Sequence, residues 1–233
     1  MNLKVSLLPI LLFSLFLLMS DTDAPTSTLQ TNSNEPALNA GPDECSFAQD
    51  IPVVEDYLRL VTFSDPYQGK FDSGVTVIEY FDPNCPHCKT LHPIMKEVIA
   101  ANSKNARFFM IPFVLWQYSL PQAEALFVAG QDGKYFEMLD AQYQIQQPGG
   151  LSLDQLVALS QDIGLDPVKF RTRLEKGLNQ RMIMARREEI RDLGVQGTPA
   201  LMINGKFVDS GSKSLTCINQ LIKEEVALVK KGK

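Results

Sequence analysis

The sequence predicts an α/β domain in which strand and helix alternate, with a block of consecutive helices inserted before a final hairpin and helix. Three observations carry that prediction. Val75 to Phe81 (VTVIEYF) is a short β-branched and aromatic run of the kind that forms a buried strand, and turn residues followed by a helical pattern come directly after it. From Pro121 to Leu193 apolar residues recur at helical spacing, broken only by short Pro and Gly punctuation. Asn204-Gly205, between two short apolar runs, is the strongest two-residue hairpin signal available.

After the strand, Asp82, Pro83 and Asn84 are turn residues, and a helix is expected from about Pro86 to Ala101. Arg107 to Leu115 (RFFMIPFVL) reads as a second strand with Pro112 near its end. Pro121 to Tyr143 has the spacing of one helix, closed by Pro148-Gly149-Gly150. Ser152 to Gln155 resembles a capping box opening a helix to Ile163, with Gly164 as its stop. Asp166-Pro167 opens another helix, and Leu178 to Leu193 a further, heavily charged one. Ala200–Ile203 and Lys206–Val208 form the hairpin, and Ser214 to Val229 closes the chain as an amphipathic helix. There is no internal repeat.

Composition bounds the function. The 233 residues are 45% hydrophobic and 21% charged, which suits a packed domain of ordinary size with appendages. With 22 basic against 27 acidic side chains and a net charge of −5, a dedicated nucleic-acid binder is excluded, because phosphate binding needs a concentrated basic face. Met1 to Ser20 has one basic residue, Lys4, and is almost wholly apolar from Val5 to Met19; it is expected to be a signal peptide or an N-terminal membrane anchor. Residues 21–44 are rich in Thr, Ser, Asn, Pro and Asp and read as a disordered polar linker. The rest of the chain is then extracytoplasmic, with residues 45–233 as the folded domain.

One motif carries chemistry. Cys85-Pro86-His87-Cys88 sits at a strand-to-helix junction. Structural zinc needs four ligands, yet Cys45 and Cys217 stand alone and both histidines lie within seven residues of Cys85. Covalent haem attachment fails on Lys89, which stands where histidine is required. The redox reading has a mechanism. A thiolate at Cys85 would occupy the helix N-terminus, where unpaired N–H groups and the macrodipole favour an anion. Pro86 fits the first helical turn, His87 can supply charge or a hydrogen bond, and Cys88 shares the face as resolving thiol.

Val77 to Lys89 (VIEYFDPNCPHCK) resembles the active-site segment of the thioredoxin superfamily, and of its DsbA-like branch in particular. Pro93 falls where that superfamily has a helix-kinking proline, and Gly194 to Ala200 (GVQGTPA) resembles its cis-proline loop. The resemblance spans roughly residues 60–230 and implies a thioredoxin fold with an inserted helical domain at about 117–193. It implies that Cys85 is the nucleophile, Cys88 the resolving thiol, and Pro86 and His87 the tuning dipeptide. Thr198 and Pro199 become the substrate-pairing loop, and Glu79 a buried acid relaying the Cys88 proton; the plain alternative for Glu79 is a solvent-facing strand residue. No cofactor is implied. Partners would be unfolded or reduced secreted proteins and a membrane redox partner that reoxidises the dithiol. Thr rather than Val before the proline departs from the best-known oxidase, which leaves an isomerase or reductase as the alternative. A protein holding a soft metal such as Cu(I) through the dithiol is the reading outside enzymes.

Cys45 and Cys217 are an even, separated pair that suits a second disulfide in an oxidising compartment, the alternatives being two thiols or an intermolecular bridge. His92 lies on the same helical stripe as the motif and reads as packing beneath it or simply exposed, the alternative being a catalytic role. Trp116, Tyr118, Phe127, Tyr135 and Phe136 are expected in the core of the insert, and Arg181 to Asp192 as a solvated helix face.

Overall fold

The computed structural model describes residues 45–232. The expected signal or anchor segment and the polar linker lie outside them. Among the described residues no helix is long and apolar enough to cross a membrane.

The elements run β1 (Tyr67–Gly69), β2 (Val75–Phe81), α1 (Pro86–Asn102), β3 (Ala106–Pro112), α2 (Leu120–Gly130), α3 (Tyr135–Gln144), α4 (Leu153–Asp162), α5 (Pro167–Lys176), α6 (Gln180–Asp192), β4 (Ala200–Ile203), β5 (Lys206–Phe207) and α7 (Leu215–Lys231). The strands form one sheet in the order β1-β3-β2-β4-β5. β2 and β3 are parallel, joined by the α1 crossover, and every other pair is antiparallel. All seven residues of β2 are buried, as a central strand covered on both faces requires.

Alternation sorts the faces. Val75 and Val77 pack with Leu91, Met95 and Val98 of α1 and with Ile218, Leu221 and Ile222 of α7. Ile78 and Tyr80 point the other way, against Phe109, Met202 and the Ile190 end of α6. Glu79 shares the parity of Val77, so it belongs to the face that α1 covers. Helices α2–α6 lie between β3 and β4 in sequence, and the core of α2–α5 runs without a break into Phe81, Cys85 and Cys88.

The hairpin forms as its sequence dictates: Asn204 and Gly205 have φ of 47° and 83°, the two positive angles of a type I′ turn. A Cβ on Gly205 would stand 2.2 Å from the Val54 carbonyl oxygen, so glycine is required there twice over. The expected capping box is present, with Ser152 and Gln155 each accepting the other's backbone N–H.

Four expectations are corrected. The helix expected over Pro121–Tyr143 is two helices, because Gly133 turns the chain at φ +73° and the Gly133 and Lys134 N–H groups close on Gly130 and Ala129 carbonyls. The second strand ends at Pro112 rather than Leu115; the Phe113 N–H bonds the Phe81 carbonyl, and the Leu115 N–H is claimed by the Asp82 carboxylate. Strand β1, three residues at the sheet edge, was not anticipated. The charged α6 is not wholly a solvated face: Arg186 makes two hydrogen bonds, of 2.5 and 2.7 Å, to the buried carboxylate of Asp65, and Ile183 and Ile190 face the core.

Cys45 and Cys217 are joined by a disulfide across 172 residues. It ties the start of the described chain to the first turn of α7, whose Ser214 cap accepts the Cys217 N–H. Beside it, Phe47 bridges Val208, and the Ser46 N–H donates to Ser212 Oγ at 3.0 Å.

Candidate active site

The loop that carries the motif is built before the cysteines are reached. Asp82, directly after β2, accepts the Asn84 N–H and the Ser119 hydroxyl on Oδ1 and the Leu115 N–H on Oδ2, each at 2.7 Å. Burial pushes its carboxyl up despite those bonds. Its own carbonyl accepts the Cys85 N–H at 3.0 Å. From beyond α3, Gln146 Nε2 donates to the Pro83 and Cys85 carbonyls at 2.9 and 3.2 Å. Neither Asp82 nor Gln146 is singled out by the sequence beyond a turn signal, because their partners are distant in the chain.

Cys85 is the N-cap of α1 and Pro86 the first helical residue, with Pro86 and His87 exposed. Cys85 is 4% exposed and Cys88 is fully buried. The two thiols are driven apart. A hydrogen bond from Cys88 is the largest influence on Cys85; although burial opposes it, the Thr198 side chain and the backbone N–H groups of Cys88 and His87 add to it and lower the thiol to about 5. Burial, and then that same hydrogen bond, push Cys88 far up. The helix terminus expected to stabilise the anion therefore contributes, but the partner sulfur contributes more. What His87 gives here is its backbone N–H.

The Thr198–Pro199 peptide is cis. As a thiol Cys85 donates to the Thr198 carbonyl at 3.4 Å. The buried Thr198 hydroxyl, which finds no partner in full hydrogen-bond geometry, lies near enough to both sulfurs to favour their anions. Lys213, which sequence reasoning missed, donates to the Pro199 carbonyl at 2.7 Å. It lines a cavity of about 560 Å³ with His87, Thr198, Val195 and Phe207.

Glu79 is 1% exposed and neither carboxylate oxygen has a hydrogen-bond partner. Burial raises its carboxyl to about 8, with Lys213 pulling the other way. The fold therefore favours its neutral form, a contribution fully present below the carboxyl's unfolded value and lost as pH rises through 8. At pH 7 the unfolded chain gains about 3 kcal/mol by ionising this side chain. Glu79→Leu is expected to raise the unfolding free energy by a similar amount at pH 7 and by much less at pH 4, as read from denaturant melts at the two pH values.

His92 packs beneath the motif: its Nε2 meets Asp140 Oδ1 at 2.6 Å and its ring lies 4.8 Å from that of Tyr143. Asp140 feels burial first, but its bonds to His92 and Lys96 hold it below the usual carboxylate range. Of the aromatics expected in the insert core, Tyr135 is buried and Phe127 and Phe136 pack against it. Trp116 and Tyr118 are a correction. They are exposed and stacked at 5.6 Å, because the connection from Pro112 to Leu120, buried at Phe113, Val114 and Ser119, comes to the surface at residues 116–118 beside Asn84 and Pro86. Among the described residues no group of three or more His, Cys, Asp and Glu side chains is arranged to hold a metal.

The comparisons agree with this geometry. The family described as thioredoxin matches residues 62–224. The fold is similar to that of the thiol-disulfide exchange protein alpha-DsbA2 of Wolbachia pipientis, with a TM-score of 0.64 and 24% identity over 72% of this chain and 91% of that one. It is also similar to oxidised BdbD of Bacillus subtilis, with a TM-score of 0.61 and 20% identity over 70% of this chain and 94% of that one. A thioredoxin-like oxidoreductase of Silicibacter pomeroyi gives 0.62 and 22%, over 76% and 99%. Among curated proteins, the Na(+)/H(+) antiporter NhaA 1 of Salinispora arenicola is 30% identical over 166 residues, 67% of this chain and 24% of that protein. The chain thus spans about a quarter of the length of the curated relatives it matches. With the thioredoxin match running from before β1 into α7, and with a five-stranded sheet that carries Cys-Pro-His-Cys at the start of α1 opposite a cis-proline, the chain belongs to the thioredoxin family.

Proposed function

We propose that this chain is an exported thiol–disulfide oxidoreductase that passes a Cys85–Cys88 disulfide to reduced secreted proteins. The observation that carries the reading is the asymmetry of the pair, with Cys85 held low at about 5 and Cys88 pushed far up. A substrate thiolate attacks the Cys85 sulfur, the Cys85–Cys88 bond breaks, and Cys88 leaves and takes up a proton. A second substrate thiolate then attacks the substrate sulfur of the mixed disulfide. Cys85 departs as the stabilised thiolate, the substrate is oxidised and the pair is reduced. Thr198 and Pro199 pair with the substrate backbone, Pro86 and His87 flank the reacting sulfur, and Glu79 exchanges the Cys88 proton. A membrane partner reoxidises the dithiol. The apolar Val5–Met19 run supports export, and Cys45–Cys217 serves as the structural disulfide.

With the Cys85 thiol near 5, the thiolate favours the reduced pair at pH 7 by about two pH units over an ordinary cysteine, which makes the disulfide about 60 mV more oxidising there than an unperturbed pair. Equilibration with a glutathione buffer tests this. A potential well above that of glutathione, with oxidation of reduced ribonuclease in the absence of glutathione, is the expected result. A potential below glutathione, with activity confined to scrambled ribonuclease, would replace the oxidase with an isomerase or reductase.

A further inference from the structure

Trp116 and Tyr118 are 37% and 42% exposed, and their stacked rings are only 4° from parallel. They form one wall of a cavity of about 300 Å³ that Asn84, Pro86, Gln146 and Pro148 help to close. No charged side chain lines it, and it shares no residue with the cis-proline cavity. Asn84 and Pro86 stand immediately before and after Cys85 in the chain. The cavity therefore adjoins the motif through residues that the cis-proline cavity does not use.

The walls are built rather than loose. The Ser119 hydroxyl gives its proton to Asp82 Oδ1, so towards Asn84 it can only accept, and it takes an Asn84 Nδ2 hydrogen at 3.0 Å. That orientation leaves Asn84 Oδ1 as an acceptor with no partner, on a side chain only 8% exposed. An unpaired buried amide oxygen is costly, and an N–H arriving with a ligand relieves it. The Gly149-Gly150 turn lies against Tyr118: a Cβ on Gly150 would stand 3.0 Å from the Tyr118 carbonyl oxygen and 3.3 Å from its ring. Gln147 Nε2 holds the Gly150 carbonyl at 3.0 Å, and Gln146 is tied to the Pro83 and Cys85 carbonyls. A wall already in place loses little entropy when it is covered.

Flat ring faces and prolines, with no charge to offset the desolvation of an ionised group, suit an aromatic side chain and reject an acid or a base. The volume has room for one large side chain, not for a folded surface. An unfolded polypeptide offers such rings, whereas a folded one mostly keeps them inside. Because the cavity borders both chain neighbours of Cys85, its occupant belongs to a residue close to the one joined to that sulfur. We propose that Trp116 and Tyr118 are the specificity-determining wall of a second substrate subsite, which takes an aromatic side chain one or two residues from the cysteine undergoing exchange, with Asn84 Oδ1 accepting an N–H of the same segment. The proposal rests on the exchange reading given above.

Trp116 is the chain's one tryptophan, so its emission reports this wall directly. In the full chain carrying Cys88→Ala, Cys85 is coupled to short thiopyridyl-activated cysteine peptides that place Phe, Gly or Asp one or two residues before or after the cysteine. Phe in at least one of those places should move Trp116 emission to shorter wavelength, while Gly and Asp leave it where it was. With the oxidised wild type, kcat/KM for the reduced peptide bearing Phe in that place should exceed that for its Asp counterpart about tenfold, mostly through KM. Trp116→Ala with Tyr118→Ala should bring the ratio close to one, and Trp116→Phe should keep it. Emission that is the same for every peptide overturns the subsite, and so does a preference that survives in a double variant melting like the wild type. The emission arm changes nothing in the cavity, so it decides the matter even if the double variant does not fold. It also needs no turnover: a wild type that oxidises none of the peptides would sink the exchange reading separately.

Discussion

Cys85→Ala is expected to lower the rate of disulfide transfer to a reduced protein by at least roughly a thousandfold while leaving the fold intact. On the proposed mechanism the nucleophile is removed outright, and Cys88 does not replace it: it is fully buried and its thiol is pushed far up, so at neutral pH it is neither exposed nor ionised. Cys88→Ala should behave differently. It retains the reactive sulfur and loses the resolving one, so mixed disulfides with substrate should accumulate and be visible as adducts by mass. The ultraviolet absorbance of the thiolate in the reduced wild type should titrate with a midpoint near 5, in keeping with the depressed Cys85 thiol. The sign follows from linkage. A group depressed in the fold contributes stability that is fully present above its unfolded value of about 8.5 and is lost as pH falls through the folded one. The reduced protein should therefore gain on the oxidised protein as pH rises from 5 towards 8.5, and equal stability of the two forms across that range would contradict the thiolate.

The double variant Cys45→Ala, Cys217→Ala should unfold about 5 kcal/mol more easily than the wild type, because the bond it lacks closes a loop of 172 residues. Over a domain of this size that corresponds to a melting temperature lower by roughly 10–20 °C. The loss should fall on stability more than on chemistry. At temperatures where the variant is folded, exchange through Cys85 should persist, since the pair lies in the loop built by Asp82, Ser119 and Gln146 rather than in the segment that holds the staple. Melting curves and transfer rates on the same preparation separate the two effects.

What could be read from the sequence was local or had a short, specific signature. The central strand β2 is legible because seven buried residues in a row must be apolar or nearly so, and Glu79 is conspicuous by breaking that run. The motif at the start of α1, the capping box at Ser152 and the Asn204-Gly205 turn each place a required residue type at a fixed offset. What was hidden is tertiary. β1 exists because β3 offers an edge, not because Tyr-Gln-Gly has strand character. Gln146 is an ordinary polar residue until the insert folds back and aims it at the Pro83 and Cys85 carbonyls. Lys213 is one of 22 basic residues, and only the approach of the Pro199 carbonyl distinguishes it. The Trp116–Tyr118 stack was misplaced for the same reason in reverse, since aromatic side chains default to a core and this pair found a surface stacking partner instead.

The bond between Cys45 and Cys217 also makes most of this domain a covalent ring. A peptide bond hydrolysed in any connection inside that ring, such as the turn at Gly133 or the loop at Gly149, yields two fragments that cannot diffuse apart. Each remains at a high effective concentration near the other, so the interrupted chain can reassemble around the same sheet, where an unlinked domain would shed a piece.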